Sequence, residues 1–177
     1  MSYSTVMAIS PGEQTPPEVL KELQNSHGTG LLAWAVMSKR FGIDAFLPSI
    51  WDYPEKWRRL WAYHKDPSLP RYQRAVLMMT FDYAYVRKEH FALAAADIRE
   101  WIKDFVPDPG FVNHWPAIAE IYESQPDCEA IAIHQTSVSE NPFDFDLDDE
   151  GEVCLPFDWT KTYEIYETLA ETEEDKT

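Results

Sequence analysis

Residues 129–138 read EAIAIHQTSV, and this stretch is predicted to form a β-strand. Its Ile and Val side chains are branched at Cβ, and such residues favour strands because they pack well on a pleated surface. A turn at Pro126 and Asp127 precedes the stretch, and the sequence SENP at residues 139–142 ends it. The strand therefore divides a helical first part of the chain from an acidic last part.

The segment that follows, residues 141–157, reads NPFDFDLDDEGEVCLPF and contains six acidic residues and no basic one. Large apolar side chains alternate with Asp from residue 143 to 148, which is the period of a strand with one buried face. Residues 148–151, DDEG, have the composition of a turn, and the alternation resumes in residues 153–157. The segment is therefore predicted to be a β-hairpin, which with the preceding strand makes a three-stranded antiparallel meander.

A calcium-binding loop is an alternative interpretation of the same residues. The EF-hand pattern needs acids at positions 1, 3 and 5, Gly at position 6 and Glu at position 12. With Asp144 at the first position the acids fit, but position 6 is Asp149 and position 12 is Leu155. Since the match fails where the loop geometry is strictest, we predict no metal ligands and no cofactor, and looser cation binding stays an alternative.

The last predicted element is a helix over residues 159–173. Trp159, Tyr163 and Tyr166 can face the core from it. Glutamates spaced by three or four residues lie on another side and share one stripe. The glutamates of this stripe that we assign to a candidate surface are Glu164, Glu167 and Glu171.

The first part of the chain is predicted to be mostly helical, with about five helices. Thr15 and Glu18 make a capping box, and with Pro16 at the first helical position they predict a helix within residues 15–28. Further helices are predicted over residues 31–41, 52–64, 71–86, 87–105 and 114–124. In the apolar run at 71–86 a strand stays an alternative, because periodicity alone does not distinguish the two there.

Together these elements predict an α+β fold. A helical N-terminal layer spans residues 1–126, and an acidic β-meander followed by the C-terminal helix spans residues 127–177. A chain of 177 residues is most simply one domain.

The net charge of −16 is distributed very unevenly along the chain. Residues 1–120 carry 14 acidic and 13 basic side chains, a net of −1, whereas residues 121–177 carry 17 acidic and two basic ones, a net of −15. Such a surface repels nucleic acid and anionic lipid and attracts basic proteins at long range. Direct binding of nucleic acid or of a membrane surface is therefore not expected.

The sequence also bears on the compartment. Residues 1–13 contain neither a basic region nor a long apolar region, so a signal peptide is not predicted. No apolar stretch is long enough to cross a bilayer. The two cysteines, Cys128 and Cys154, form no CxxC motif, and without a secretory signal we expect reduced thiols in a cytoplasm.

The charge distribution favours a non-enzymatic binding protein whose C-terminal face docks on a basic surface of a partner protein. If that surface normally holds nucleic acid, the carboxylates would take the place of phosphates, and the chain would inhibit a nuclease or a defence complex. No catalytic residue is assigned under this hypothesis. The predicted partner-binding residues are Asp144, Asp146, Asp148, Asp149, Glu150, Glu164, Glu167 and Glu171.

Two other functions stay open as alternatives. One is a small hydrolase or transferase that uses His134 with Ser137 or Glu140, since a polar cluster after a strand is a common place for catalytic groups. The other is a structural or scaffolding subunit that uses an aromatic face around Trp51, Trp57 and Trp61, which share helical spacing in part.

Overall fold

The computed structural model describes residues 2–43, 54–105, 110–137, 141, 143 and 158–174. Within these ranges the chain contains five β-strands and six α-helices. The strands are β1 (Tyr3–Ile9), β2 (Glu18–Gln24), β3 (Ala84–Arg87), β4 (Ala130–His134) and β5 (Tyr163–Glu164). The helices are α1 (Gly30–Arg40), α2 (Pro54–Ala62), α3 (Arg71–Met79), α4 (Phe91–Asp104), α5 (Trp115–Glu123) and α6 (Ile165–Glu174).

All five strands belong to one mixed sheet in the order β2-β1-β4-β3-β5. Strand β1 is antiparallel to both β2 and β4, with Val6 opposite Ile133 in the β1–β4 pair. Strand β3 is antiparallel to β4 and parallel to β5. The strand predicted from residues 129–138 is confirmed as β4, and it is the middle strand of the sheet.

The fold is α+β overall, but the predicted arrangement of its parts is wrong. Strand β4 pairs with β1 from the start of the chain and with β3 from its middle, so it is not the first strand of a three-stranded meander. The N-terminal part is not a purely helical layer of five helices, because it supplies three of the five strands. Of the predicted hairpin at residues 141–157, only residues 141 and 143 are among the described ones.

Strand β2 replaces the helix that the capping box predicted within residues 15–28. The β1–β2 register shifts between Val6 and Met7, which marks a β-bulge with an extra residue at Leu20. Because of this extra residue, Leu20 and Leu23 both pack against the main core although they are three positions apart. Their spacing also matches one face of a helix, so it does not contradict the helix that the capping box predicts.

Two further strands lie inside segments that were predicted to be helical. The apolar run at 71–86 contains helix α3, then a turn, then strand β3, so both interpretations of that run are partly correct. The predicted C-terminal helix begins later than expected, since residues 159–161 form a 3-10 turn and Tyr163 and Glu164 form β5. Helices α1, α2, α4 and α5 confirm the remaining helix predictions.

The two faces of the sheet contact different parts of the chain. On one face, Val6, Val86, Ile131 and Ile133 join the main core, which is formed with side chains from the helices. The other face carries a smaller apolar cluster, and its members are Met7, Ile9, Tyr85, Ala130, Ala132 and Phe143, with Trp159 packed against them. This second face therefore carries Phe143 and Trp159, which flank the acidic residues 144–157 in the sequence.

Among the residues described above, no helix combines the length and the apolar character that crossing a membrane requires.

Candidate protein-binding surface

The N-terminal end of the acidic segment is held on the second face of the sheet by Phe143. Its ring is buried in the apolar cluster around Met7 and Tyr85. The backbone N–H of Phe143 donates to Asn141 Oδ1 at 3.1 Å, and Asn141 Nδ2 donates to Met7 Sδ at 3.2 Å. These contacts fix the position at which the chain leaves the sheet.

The C-terminal end of the segment is held beside it by Trp159. The ring centroids of Phe143 and Trp159 are 6.3 Å apart. Trp159 Nε1 donates to the carbonyl oxygen of Glu13 at 3.0 Å, which ties it to the loop between β1 and β2. Asp158 Oδ1 accepts the N–H of Thr160 at 3.2 Å and caps the 3-10 turn that contains the tryptophan. We call Phe143 and Trp159 the anchor pair.

The anchor pair flanks the acidic part of the segment in the sequence. Residues 144–157 are 14 residues long and contain six carboxylates. The two residues that flank the six carboxylates in the sequence therefore lie together on one face of the sheet.

Acidic residues distant in sequence lie at the same end of the sheet. At this end, strands β1 and β3 finish and strands β2 and β4 begin. In the strand register, Glu18 lies opposite Ala8, Ile9 lies opposite Ala130, and Ala130 lies opposite Arg87. The exposed carboxylates brought to this end are Glu13, Glu18, Asp127, Glu129, Asp158 and Glu167. Three of them have cationic partners, since Lys88 Nζ is 2.7 Å from Asp127, Arg87 Nε is 3.6 Å from Glu167 and Lys161 Nζ is 3.2 Å from Asp158.

The eight predicted partner-binding residues are placed as follows. Asp144, Asp146, Asp148, Asp149 and Glu150 lie outside the described residues. Glu167 and Glu171 are exposed on α6. Glu164 is only 2% exposed and lies on β5, so it does not belong to an exposed stripe with the other two.

Glu164 instead connects α6 to the sheet from the interior. Its Oε1 accepts the backbone N–H of Arg87 at 3.1 Å and lies 3.1 Å from His90 Nδ1. Its Oε2 accepts the N–H of Glu167 at 2.7 Å, in the first turn of α6. A carboxylate at this position satisfies a free helix amide and is favoured by the positive end of the helix dipole. The contacts of Glu164 are therefore structural.

Several arginines of the first half are paired within the earlier part of the chain. Arg40 pairs with Asp104 at 2.8 Å, and Arg71 makes two hydrogen bonds of 3.0 Å to Asp97. Arg99 also makes two hydrogen bonds of 2.8 Å, to Glu123. The first two pairs lie within residues 1–120, whereas Glu123, Asp127 and Glu167 of the acidic last part pair with Arg99, Lys88 and Arg87.

The region around His134 was the best candidate for an enzyme site. His134 is buried at the end of β4. Ser137 continues the pairing with β1, because its N–H donates to Tyr3 O at 2.8 Å and its Oγ accepts the N–H of Tyr3 at 3.1 Å. Glu140 lies outside the described residues. The contacts of Ser137 thus place its hydroxyl in the β1–β4 pairing.

Asp82 lies near His134 in the turn that precedes β3. Its Oδ1 accepts the backbone N–H of Gln135, the residue that follows β4, at 3.3 Å. Burial raises the pKa of the Asp82 carboxyl above its usual value, and the Gln135 N–H and the nearby His134 oppose this effect. The folded protein therefore binds a proton at Asp82 more tightly than the unfolded chain does.

Replacement of Asp82 by Asn is expected to raise the melting temperature near neutral pH. The amide keeps an oxygen for the Gln135 N–H and removes the desolvated charge. Because the pKa of Asp82 is raised on folding, the ionised carboxylate destabilises the folded protein increasingly as the pH rises above the usual pKa of 3.8. The rise in melting temperature from Asp82→Asn should therefore become smaller as the pH falls towards 3.8. Thermal unfolding of the wild type and of Asp82→Asn, from neutral pH down to 3.8, measures this difference in melting temperature. A difference that does not change with pH would contradict the raised pKa of Asp82.

The aromatic face proposed for a scaffolding subunit lies largely inside the fold. Trp57 is 2% exposed, and Trp61 is half-buried. The rings of both contact Trp34, with centroids 5.5 Å apart in each pair. Trp51 lies outside the described residues. These contacts place Trp57 and Trp61 in the core and leave little of this face for self-association.

The sequence reasoning missed the anchor pair. The sequence predicts Phe143 on a hairpin strand and Trp159 at the start of a helix, facing the core, and it predicts no contact between them. The available signal was that aromatic residues lie immediately before and after the longest acid-rich segment of the chain. Aromatic side chains bury large areas, so such a pair is well suited to fix both ends of a segment.

Within the described ranges, no group of three or more His, Cys, Asp and Glu side chains is arranged to hold a metal ion. Comparisons of the chain with known protein families, with curated proteins and with solved structures find no match.

Proposed function

We propose that the chain is a non-enzymatic binding protein whose acidic C-terminal segment docks on a basic surface of a partner protein. The observation that carries this proposal is the anchor pair, whose rings are 6.3 Å apart. It brings residues 143 and 159, which flank the six carboxylates of residues 144–157 in the sequence, together on one face of the sheet. Exposed Glu167 and Glu171 on α6 add to the charge of the same part of the chain.

Concentrated charge of one sign has a physical consequence for association. Like charges held near one another repel, and this repulsion destabilises a monomer slightly unless a cationic partner relieves it. A basic partner is attracted to all of these negative charges at once. This attraction steers the encounter of the two proteins and raises the association rate. Burial of the anchor pair in the apolar cluster offsets the repulsion in the free protein.

The class of partner follows from the chemistry of carboxylates. Arg and Lys side chains that bind phosphates also bind carboxylates, and arginine binds both with the same two parallel hydrogen bonds. A nucleic-acid-binding protein, such as a nuclease or a component of a defence complex, therefore presents a suitable surface. The chain would act as an inhibitor by occupying the surface in place of nucleic acid. We place this activity in the cytoplasm, where the free thiol of Cys128 stays reduced.

The test compares two variants that each remove four negative charges. One variant is Asp144→Asn, Asp146→Asn, Asp148→Asn and Asp149→Asn. The matched control carries Glu22→Gln, Glu55→Gln, Glu100→Gln and Glu120→Gln, all exposed and outside the acidic segment. A partner purified with the wild-type chain from its host is then titrated against all three proteins.

We expect the control to bind like the wild type and the Asp→Asn variant to lose at least about tenfold in affinity, mainly through the association rate. Wild-type binding should also weaken between about 0.01 M and about 0.15 M ionic strength, because the Debye length falls from about 30 Å to about 8 Å. Equal affinities of the two variants would show that the position of the charges is irrelevant and would remove the proposal.

A further inference from the structure

We propose that the end of the sheet opposite the exposed carboxylates is a surface on which a second copy of this chain docks. At this end strands β1, β3 and β5 begin and strands β2 and β4 finish. We call it the aromatic end, and it is defined by the side chains of Tyr3, Tyr83, Phe111 and Val112. These residues are separate from the acidic segment, so this surface and the proposed function can be tested separately.

The four side chains of the aromatic end are large, apolar and exposed, with exposed fractions between 38% and 66%. Tyr3 opens β1 and lies opposite Gln24, the last residue of β2. Tyr83 immediately precedes β3, and its carbonyl oxygen accepts the N–H of Tyr163 at 3.2 Å. The aromatic end therefore reaches from the β2–β1 pair to the β3–β5 pair.

The loop before α5 brings Phe111 and Val112 to the same end. The N–H of His114 donates to the carbonyl oxygen of Gly28 at 2.9 Å, and His114 Nε2 lies 2.8 Å from the carbonyl oxygen of Gln24. Gly28 allows this close approach, because a Cβ on it would lie 2.9 Å from Val112 Cγ1. The loop is therefore held against the end of β2, which is paired with the start of β1.

The polar side chains around these apolar ones are almost all uncharged. Residues 2–3, 24–29, 82–83, 110–114 and 135–137 lie at this end, and they include no Lys or Arg and one carboxylate. This carboxylate is Asp82, which is half-buried and bound to the N–H of Gln135. Beyond Tyr83, Lys161 is paired with Asp158 at 3.2 Å. Few charges and several aromatic rings are typical of the buried centre of a protein interface.

The charge distribution favours a second copy as the occupant. A two-fold interface brings one surface against itself, so that surface must be complementary to itself. The aromatic end meets this requirement, whereas two acidic ends would repel each other. Because β1 has seven residues, contact through the aromatic ends would hold the two acidic ends at least about 45 Å apart. This separation is several times the Debye length of about 8 Å at physiological ionic strength.

Sedimentation velocity of the full chain between about 1 μM and about 300 μM tests the proposal. The aromatic end spans about three strand spacings, or about 14 Å, which fits a weak interface, so we expect a dimer Kd on the order of 10 μM. The Kd should fall at least about threefold between about 0.01 M and about 0.15 M ionic strength, because salt screens the repulsion between two chains of net charge −16. Binding of a basic partner should show the opposite dependence on salt.

A charge placed on the aromatic end should weaken the dimer. Phe111→Asp puts two like charges on the two-fold surface and should raise the dimer Kd at least about tenfold. Val19→Asp is the matched control, since Val19 is 54% exposed and lies opposite Met7, towards the acidic end of β2. The control should leave the Kd unchanged. Tyr83→Ala removes apolar area without adding charge and should raise the Kd about three- to tenfold.

A chain that stays monomeric at the highest concentration would overturn the proposal, even if another protein were found to bind the aromatic end. Equal weakening by Phe111→Asp and Val19→Asp, or weakening by Val19→Asp alone, would place the contact elsewhere and would also overturn it. A dimer that dissociates as salt is added would show an ionic contact and count against it as well. If Phe111→Asp does not fold by circular dichroism, an unchanged Kd in Tyr83→Ala decides against the proposal.

Discussion

Replacement of Glu164 by Ala is expected to lower the free energy of unfolding by about 3 kcal/mol. The carboxylate accepts the backbone N–H groups of Arg87 and Glu167 and contacts the imidazole of His90. Alanine leaves these groups without an acceptor in a place where the Glu164 side chain is fully screened from water. Each buried donor that loses its acceptor costs about 1 to 3 kcal/mol, and α6 also loses its N-terminal cap.

Glu167→Ala is the matched control, since it lies three residues further on and its side chain is 62% exposed. Its ion pair with Arg87 is long and solvated, so its removal should change stability by about 0.5 kcal/mol or less. Urea unfolding followed by circular dichroism measures both variants against the wild type. Similar small losses in the two variants would contradict the role given to Glu164.

The second large effect is expected for Trp115→Ala, which should lower the free energy of unfolding by about 3 to 5 kcal/mol. Trp115 is fully buried at the start of α5, and its ring centroid is 5.5 Å from that of Trp101. Its Nε1–H donates to the carbonyl oxygen of Thr29 at 3.2 Å, immediately before α1. The substitution therefore creates a cavity between helices and also removes a buried hydrogen bond.

Two companion variants separate these contributions. Trp115→Phe keeps most of the ring volume and loses the hydrogen bond, so it should show a smaller loss, of about 1 to 2 kcal/mol. Phe111→Ala removes an aromatic side chain that is 66% exposed, and it should stay within about 0.5 kcal/mol of the wild type. If Trp115→Ala were no more destabilising than Phe111→Ala, the packing described for α5 would be wrong.

The helices could be predicted well where one face is buried and the other is not. In α4, the pattern of Phe91, Ala94, Ala95 and Ile98 matches the residues that are buried in the structure. The central strand β4 could also be identified, because its composition is typical of a strand. These elements have a periodicity that local chemistry and tertiary packing both support.

The strands that were missed lack such periodicity for physical reasons. Strand β1 is buried on both faces over Ser4–Ile9, so its sequence does not alternate between apolar and polar residues. Strand β3 has four residues and follows an equally apolar helix, which hides its start. Strand β5 has only two residues and forms by pairing with β3, which no local pattern records.

The candidate surface was predictable only in part. The unequal charge distribution follows from the sequence, and it directs attention to the last third of the chain. The burial of Glu164 could not be anticipated, because the helix was expected to begin before it and not after it. The contact between Phe143 and Trp159 depends on where two distant segments meet the sheet, and residue spacing carries no such information.

The central position of β4 also has a consequence for how the chain acquires its structure during synthesis. Strand β1 pairs with β4, and Thr5 is opposite His134, so the two partners are separated by most of the chain. At the usual translation rates, β4 leaves the ribosome about 10 s after β1. During that interval the β1–β2 hairpin carries an unpaired strand edge lined by Met7 and Ile9, which is a site for aggregation. Nascent chains should therefore depend on chaperones until residue 134 has emerged from the ribosome. Refolding from denaturant should be slow, because the strand pairings of the sheet join residues that are far apart in the sequence.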